Sequence, residues 1–175
     1  RGAQHRVRAV SDLDAGARLC DLADEKGVLL AVNQNGRWAP HLAWMREAVR
    51  CGLIGDVQSC NISIFWDHGW IAGTPFEAID DLVLYDFAVH WFDFLVSLIG
   101  AKATSVFATT ARAAGQQVRP PMLAGAMVAF DGGQASLMFD GTTRFGAEDR
   151  TAIVGSAGTL ASRGPDLSTQ QVTLA

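Results

Sequence analysis

Between Leu82 and Ile99 almost every residue is apolar, and the polar exceptions Asp86, His90, Asp93 and Ser97 fall at i, i+4, i+7 and i+11. At 3.6 residues per turn that spacing predicts a helix with one narrow polar stripe. Lys, Glu and Arg, which populate a solvated face, are missing from it, so the stripe suits the wall of a cleft. Upstream, Leu13, Ala17, Cys20 and Ala23 keep a helical rhythm, with Ser11 as the expected cap and Gly27 as the stop. Val28–Val32 is a continuous apolar run of the kind buried on both faces of a parallel sheet. A polar loop, Asn33–Arg37, leads to a second helix over Pro40–Arg50, closed by Gly52.

Beyond Gly55 the pattern changes. Asp56–Trp66 reads as a strand, followed by a Gly-, Trp- and His-rich loop and then the long helix. Strands are expected at Ala103–Ala111, Met122–Phe130, Gln134–Asp140, Arg150–Val154 and Thr159–Ala161, with Asp131-Gly132-Gly133 as a hairpin turn. The tail after Ser162 carries no clear pattern. The fold expected is α+β: an open, mainly antiparallel sheet covered by helices, preceded by one helix and one strand. Such a sheet has an uncovered face, which points to self-association.

Composition narrows the function. The chain has 175 residues, 49% of them hydrophobic and 18% charged, enough for one sizeable packed domain or slightly more. A net charge of −4 with only Lys26 and Lys102 as lysines gives no basic field for nucleic acid. Cys20, Cys51 and Cys60 are odd in number and lie in no C-x-x-C spacing, so they read as reduced thiols of a cytoplasmic protein. Leu82–Ile99 has the length of a membrane span, but three ionisable groups on one face argue against that use.

The stripe also carries the candidate chemistry. An Asp one turn before a His can orient the imidazole and raise its proton affinity, as acid–base catalysis requires. The same two residues with His68 could instead chelate a metal ion for hydrolysis or isomerisation.

Four segments together resemble the glucose–fructose oxidoreductase, inositol dehydrogenase and rhizopine-catabolism (Gfo/Idh/MocA) family. They are Val32–Pro40; the hinge Cys51-Gly52-Leu53-Ile54-Gly55-Asp56-Val57; Asp86-Phe87-Ala88-Val89-His90-Trp91-Phe92-Asp93, with Ala88 where the family has glycine; and Ile153-Val154-Gly155-Ser156-Ala157-Gly158-Thr159-Leu160. The resemblance implies a two-domain oxidoreductase passing a hydride between NAD or NADP and a sugar, polyol or similar hydroxyl compound. In that scheme residues 1–36 are the remnant of the dinucleotide-binding domain, and 37–175 form the substrate and oligomerisation domain. His90 would be the general acid/base, and Asp86 would orient it or hold a substrate hydroxyl. Asn35 and Arg37 would border the nicotinamide ribose or the substrate. The loop carrying Trp66, His68 and Trp70 would close over the pocket, while Asp93 reads as structural.

Two family parts are missing. No G-x-G-x-x-G follows an N-terminal strand, and His5-Arg6-Val7 stands in the register of the family's Glu-Lys-Pro. Arginine cannot replace a lysine that must share a proton, because its pKa stays above about 12. The chain is therefore expected to be the substrate-side part of such an enzyme, with weak dinucleotide binding and no activity alone. The alternative is a non-enzymatic assembly module.

Overall fold

The computed structural model describes residues 13–100 and 103–175, and the chain separates into two compact units between Asn33 and Gln34. The first holds α1 (Leu13–Lys26), which ends where Gly27 adopts φ +62° and donates its N–H to Asp24 O. A left-handed residue there favours glycine, as the sequence suggests. The expected cap at Ser11 and the His5-Arg6-Val7 segment lie outside the described residues. The strand expected at Val28–Val32 does not form. Among the described residues it has no pairing partner, and a strand exists only through its ladder to a neighbour.

In the second unit a tight turn, Asn35–Trp38, leads into α2 (Pro40–Arg50), whose first position is Pro40 as expected. Then come β1 (Val57–Phe65), the long helical segment, β2 (Ala103–Ala111), β3 (Leu123–Phe130), β4 (Gly133–Asp140), β5 (Glu148–Gly155), β6 (Thr159–Gly164) and β7 (Gln171–Leu174). They form one open sheet in the order β2-β3-β4-β1-β5-β6-β7, antiparallel throughout except for the parallel pair β1–β4. β7 lies in the tail where the sequence shows no pattern. It is a four-residue edge strand, too short and too exposed to need alternation.

The long apolar helix is not continuous. Val83–Phe87 form a π-helical turn in which Ala88 N donates to Val83 O at 2.7 Å, and α3 (Val89–Ile99) follows until Gly100 at φ +59°. Such a turn holds one residue too many, which breaks the i, i+4 alignment across it. Along α3 the buried Trp91, Phe94, Leu95 and Leu98 repeat at helical spacing and pack over one sheet face with Leu42 and Met45 of α2. That face presents Ile62 and Ile64 of β1, Leu137 and Phe139 of β4 and Ile153 of β5. The opposite face leaves Phe107, Met127 and Met138 exposed. No helix among the described residues is long and apolar enough to cross a membrane.

On the covered face, Asp149 is fully buried and neither carboxylate oxygen has a hydrogen-bond partner. Thr151 shares its face two residues on, opposite Ser162, and both hydroxyls are equally unpartnered. Burial, helped by the charge of Asp166, pushes the Asp149 carboxyl up to about 7. A raised folded-state value means the folded protein keeps a proton that the unfolded chain gives up. Stability should therefore fall as pH rises from about 4 to about 7, by at most about 4 kcal/mol. Denaturation midpoints measured across that window should flatten in Asp149→Asn; an unchanged slope would assign the dependence to other groups.

Candidate functional site

The Asn35–Trp38 turn, the π turn with the start of α3, and the ends of β1 and β4 surround one cavity of about 160 Å³. Its walls are largely aromatic, from Trp66, Phe87, Trp91 and Phe139, with Asn35, His68, His90 and Asp140 as polar members. Trp66 and Trp91 meet edge to face at 5.5 Å, and Trp66 is held by its Nε1 donating to Pro165 O at 3.1 Å. Edge-to-face packing of this kind fixes the rings as a rigid surface.

His90 is positioned from below by the tight turn. Its Nδ1 lies 3.1 Å from Gln34 Oε1. With the amide oxygen facing the ring, Nδ1 carries the proton and Nε2 remains the acceptor. Gly36 allows the close approach, since a Cβ there would lie 3.2 Å from His90 Cβ. Asp86, the expected orienting group, makes no such contact and does not line the cavity, because the π turn intervenes.

His68 stacks on Phe87 with ring centroids 4.1 Å apart. Burial pushes its pKa down, so the imidazole is held neutral. Its Nδ1 is buried without a hydrogen-bond partner, and so is Nε1 of Trp91. Two orphan polar atoms thus belong to residues lining one apolar chamber. Unpaired buried groups cost about 1–3 kcal/mol each.

The cavity therefore brings together Asn35, Trp66, His68 and His90 of the residues singled out from the sequence. Arg37, Trp70 and Asp86 are not among its lining residues. Arg37 instead engages Asp93 through a two-pronged ion pair, with Nε to Oδ2 at 2.6 Å and Nη2 to Oδ1. That fork ties the turn bearing Asn35 and Gly36 to α3. Asp93→Asn should cost about 1–3 kcal/mol in urea denaturation, while Ser97→Ala, whose Oγ only donates to Phe94 O, should cost less. Equal losses would remove that role for the pair. Trp70 stands beside the chamber, 5.5 Å edge-on to Phe76 and 57% exposed.

Sequence reasoning missed Gln34, Trp91 and Asp140. The metal-dependent alternative also lacks a ligand set. Among the described residues no three of His, Cys, Asp or Glu converge as metal ligands, so Asp86, His68 and His90 do not form a centre.

Residues 42–161 match the family model of the GFO/IDH/MocA C-terminal domain. The chain belongs to this family. No curated protein matches it. Among solved structures it is similar to the WlbA dehydrogenase from Bordetella pertussis in complex with NADH and UDP-GlcNAcA, at a TM-score of 0.75 and 22% identity over 91% of this chain and 51% of that one. WlbA from Chromobacterium violaceum, solved with the same two ligands, gives 0.74 and 21% over 90% and 47%. An oxidoreductase from Agrobacterium radiobacter in complex with NAD+, L-tartaric acid and magnesium gives 0.73 and 23% over 93% and 50%. At these identities the likeness speaks for the fold. The chain spans about half the length of the structures it matches.

Two of the family segments prove to be one contact. Ala157 N donates to Ile54 O at 2.9 Å, and Ser156 N to Asp56 O at 2.9 Å, so the hinge Cys51–Val57 and the Ile153–Leu160 segment interlock. This also bears on the cofactor. The Gly155–Gly158 turn is filled by Ile54 and runs into β6, not into a helix N-terminus, so it does not fit a pyrophosphate.

Proposed function

We propose that this chain is the substrate-binding and proton-transferring part of a nicotinamide-dependent oxidoreductase acting on a sugar, polyol or similar hydroxyl compound. One observation carries the reading: His90, its Nδ1 held by Gln34, lines an aromatic-walled chamber together with the polar Asn35, His68 and Asp140. Ligand hydroxyls can give hydrogen bonds to such polar lining residues and accept them from the same side chains. Aromatic faces pack well against the C–H face of a sugar ring. NAD or NADP, the hydride carrier the family implies, finds no phosphate cradle among the described residues, and tight binding by this chain alone is not expected.

In this reading His90, with Nδ1 satisfied by Gln34, takes the proton of the reacting hydroxyl at Nε2 as the hydride leaves carbon. Asn35, Trp66 and His68 orient the remainder of the substrate. Arg37 acts from outside the chamber by bracing its turn, and Trp70 flanks it. Residues 1–36 correspond to the last part of the dinucleotide-binding domain and 37–175 to the substrate and oligomer domain. The exposed Phe107, Met127 and Met138 on the open sheet face favour a homo-oligomer. The same face would also serve a non-enzymatic assembly module.

Sugars and polyols titrated into the protein should quench tryptophan fluorescence saturably, since Trp66 and Trp91 line the chamber. A crystal structure of the complex should place a ligand hydroxyl within hydrogen-bond reach of His90. A ligand seated elsewhere, or no saturable response, would remove the enzymatic reading and leave the module.

A further inference from the structure

We propose that Arg119, on the connection between β2 and β3, is a positioning residue for the chamber: it grips the turn Pro75–Ala78 from outside and so holds Trp70 against the wall formed by His68 and Phe87. The inference rests on reading the chamber as the substrate site, and adds to it a residue that touches no ligand.

Arg119 donates from its backbone N–H to Glu77 Oε1 at 3.2 Å, from Nε to Glu77 O at 3.1 Å, from Nη2 to Ala78 O at 2.5 Å and from Nη1 to Asp80 Oδ1 at 2.7 Å. The Asp80 contact is an exposed ion pair and weak by itself. The two carbonyls matter more, because they belong to the backbone and fix the path of the turn whatever side chains it bears. A planar guanidinium serves these acceptors together, whereas an ammonium is one compact point of charge. Glu77 extends the grip. Its Oε2 accepts from Gly73 N at 2.9 Å, which ties the end of the preceding loop to the same turn.

An anchor must itself be stiff, and residues 112–122 meet that condition. Gln116 accepts from Ala113 N at 3.3 Å and from Met122 N at 3.2 Å, and donates to Val118 O at 2.8 Å and Pro120 O at 2.7 Å. Arg112 Nη1 donates to Arg119 O, while Val118 and Met122 are buried in the core.

From the gripped turn to the chamber the relay is aromatic. Phe76 meets Trp70 edge to face at 5.5 Å. Trp70 lies 6.2 Å from His68 and 6.3 Å from Phe87, both of which line the chamber. More than half of Trp70 is exposed, so core packing does not hold its ring. A wall left loose must be ordered when ligand binds, and affinity falls accordingly.

The test uses the full chain, with glucose and myo-inositol as probes read by tryptophan fluorescence, and amide hydrogen exchange over residues 69–80 without ligand. Arg119→Lys keeps the charge and the backbone N–H but not the fork that reaches both carbonyls and Asp80. It should speed exchange across that segment at least about tenfold and weaken both probes about three- to tenfold, with the urea midpoint nearly unchanged. Trp70→Ala should weaken the probes to a similar degree and the double variant no further, because both act through one ring. Arg163→Ala, which breaks a surface ion pair with Glu148 outside the chamber lining, should move neither readout. Unchanged exchange or unchanged affinity in Arg119→Lys, or additive losses in the double variant, would overturn the positioning role and leave the substrate site standing. If neither probe binds the unmodified protein, the substrate-site reading itself falls and takes this role with it.

Discussion

On the proposed reading, replacing His90 with alanine in this chain joined to a family dinucleotide-binding domain should lower turnover of a hydroxylated substrate by about 10²–10⁴-fold, with KM changing much less. The argument begins with position. His90 opens α3, lines the chamber and has its Nδ1 bound to Gln34 at 3.1 Å, so the ring is presented in one orientation. A general base contributes only in the transition state, which is why the loss should appear in kcat. Gln34→Ala should give a smaller fall, on the order of tenfold, because the ring remains but its tautomer is no longer fixed. Folding should be spared in both variants, since neither side chain belongs to the core. Full turnover in His90→Ala would move the proton chemistry elsewhere, with His68 as the first residue to examine.

Gly155→Ala should be a severely damaging single-atom change to stability, costing roughly 3 kcal/mol or more. A Cβ at this position would lie 2.1 Å from Ile54 O, a backbone atom that accepts from Ala157 N and cannot swing aside. Ile54 is itself fully buried, so relief requires the hinge to leave the Gly155 turn altogether. Gly158→Ala offers a graded comparison, since its Cβ would meet Ala175 O at 2.9 Å and the flexible Ile54 side chain at 3.3 Å. Urea denaturation should rank Gly155→Ala well below Gly158→Ala. Equal stability would mean the interlocked contact is not what holds the hinge.

These two sites show what was legible in the sequence. The interlocked glycines and His90 stand in recognisable segments, and α2 announces itself through Pro40 and Gly52. The π turn was not legible, because an apolar run with a polar stripe looks the same with or without one extra residue in a turn. The i, i+4 spacing therefore predicts an Asp86–His90 pair that the structure does not make. The true partner, Gln34, lies 56 positions away and has no local signal. Asp140 looked like an ordinary strand end before a glycine, and only the fold brings it to the chamber. Val28–Val32 shows the converse: strong apolar continuity predicts a strand, yet the ladder it needs is absent from the described residues.

The parallel pairing of β1 with β4 has a consequence for how the protein acquires its shape. β2-β3-β4 and β5-β6-β7 are meanders whose strands pair with their neighbours in the sequence, while β1 precedes both and ends between them. Its cross-strand bond from Ser136 Oγ to Asn61 Oδ1 spans 75 positions. Each meander can organise locally, but the central strand gains its two ladders only after long loops have closed. Contact order of this kind predicts slow folding, with β1 docking late and its apolar residues exposed to intermolecular pairing until it does.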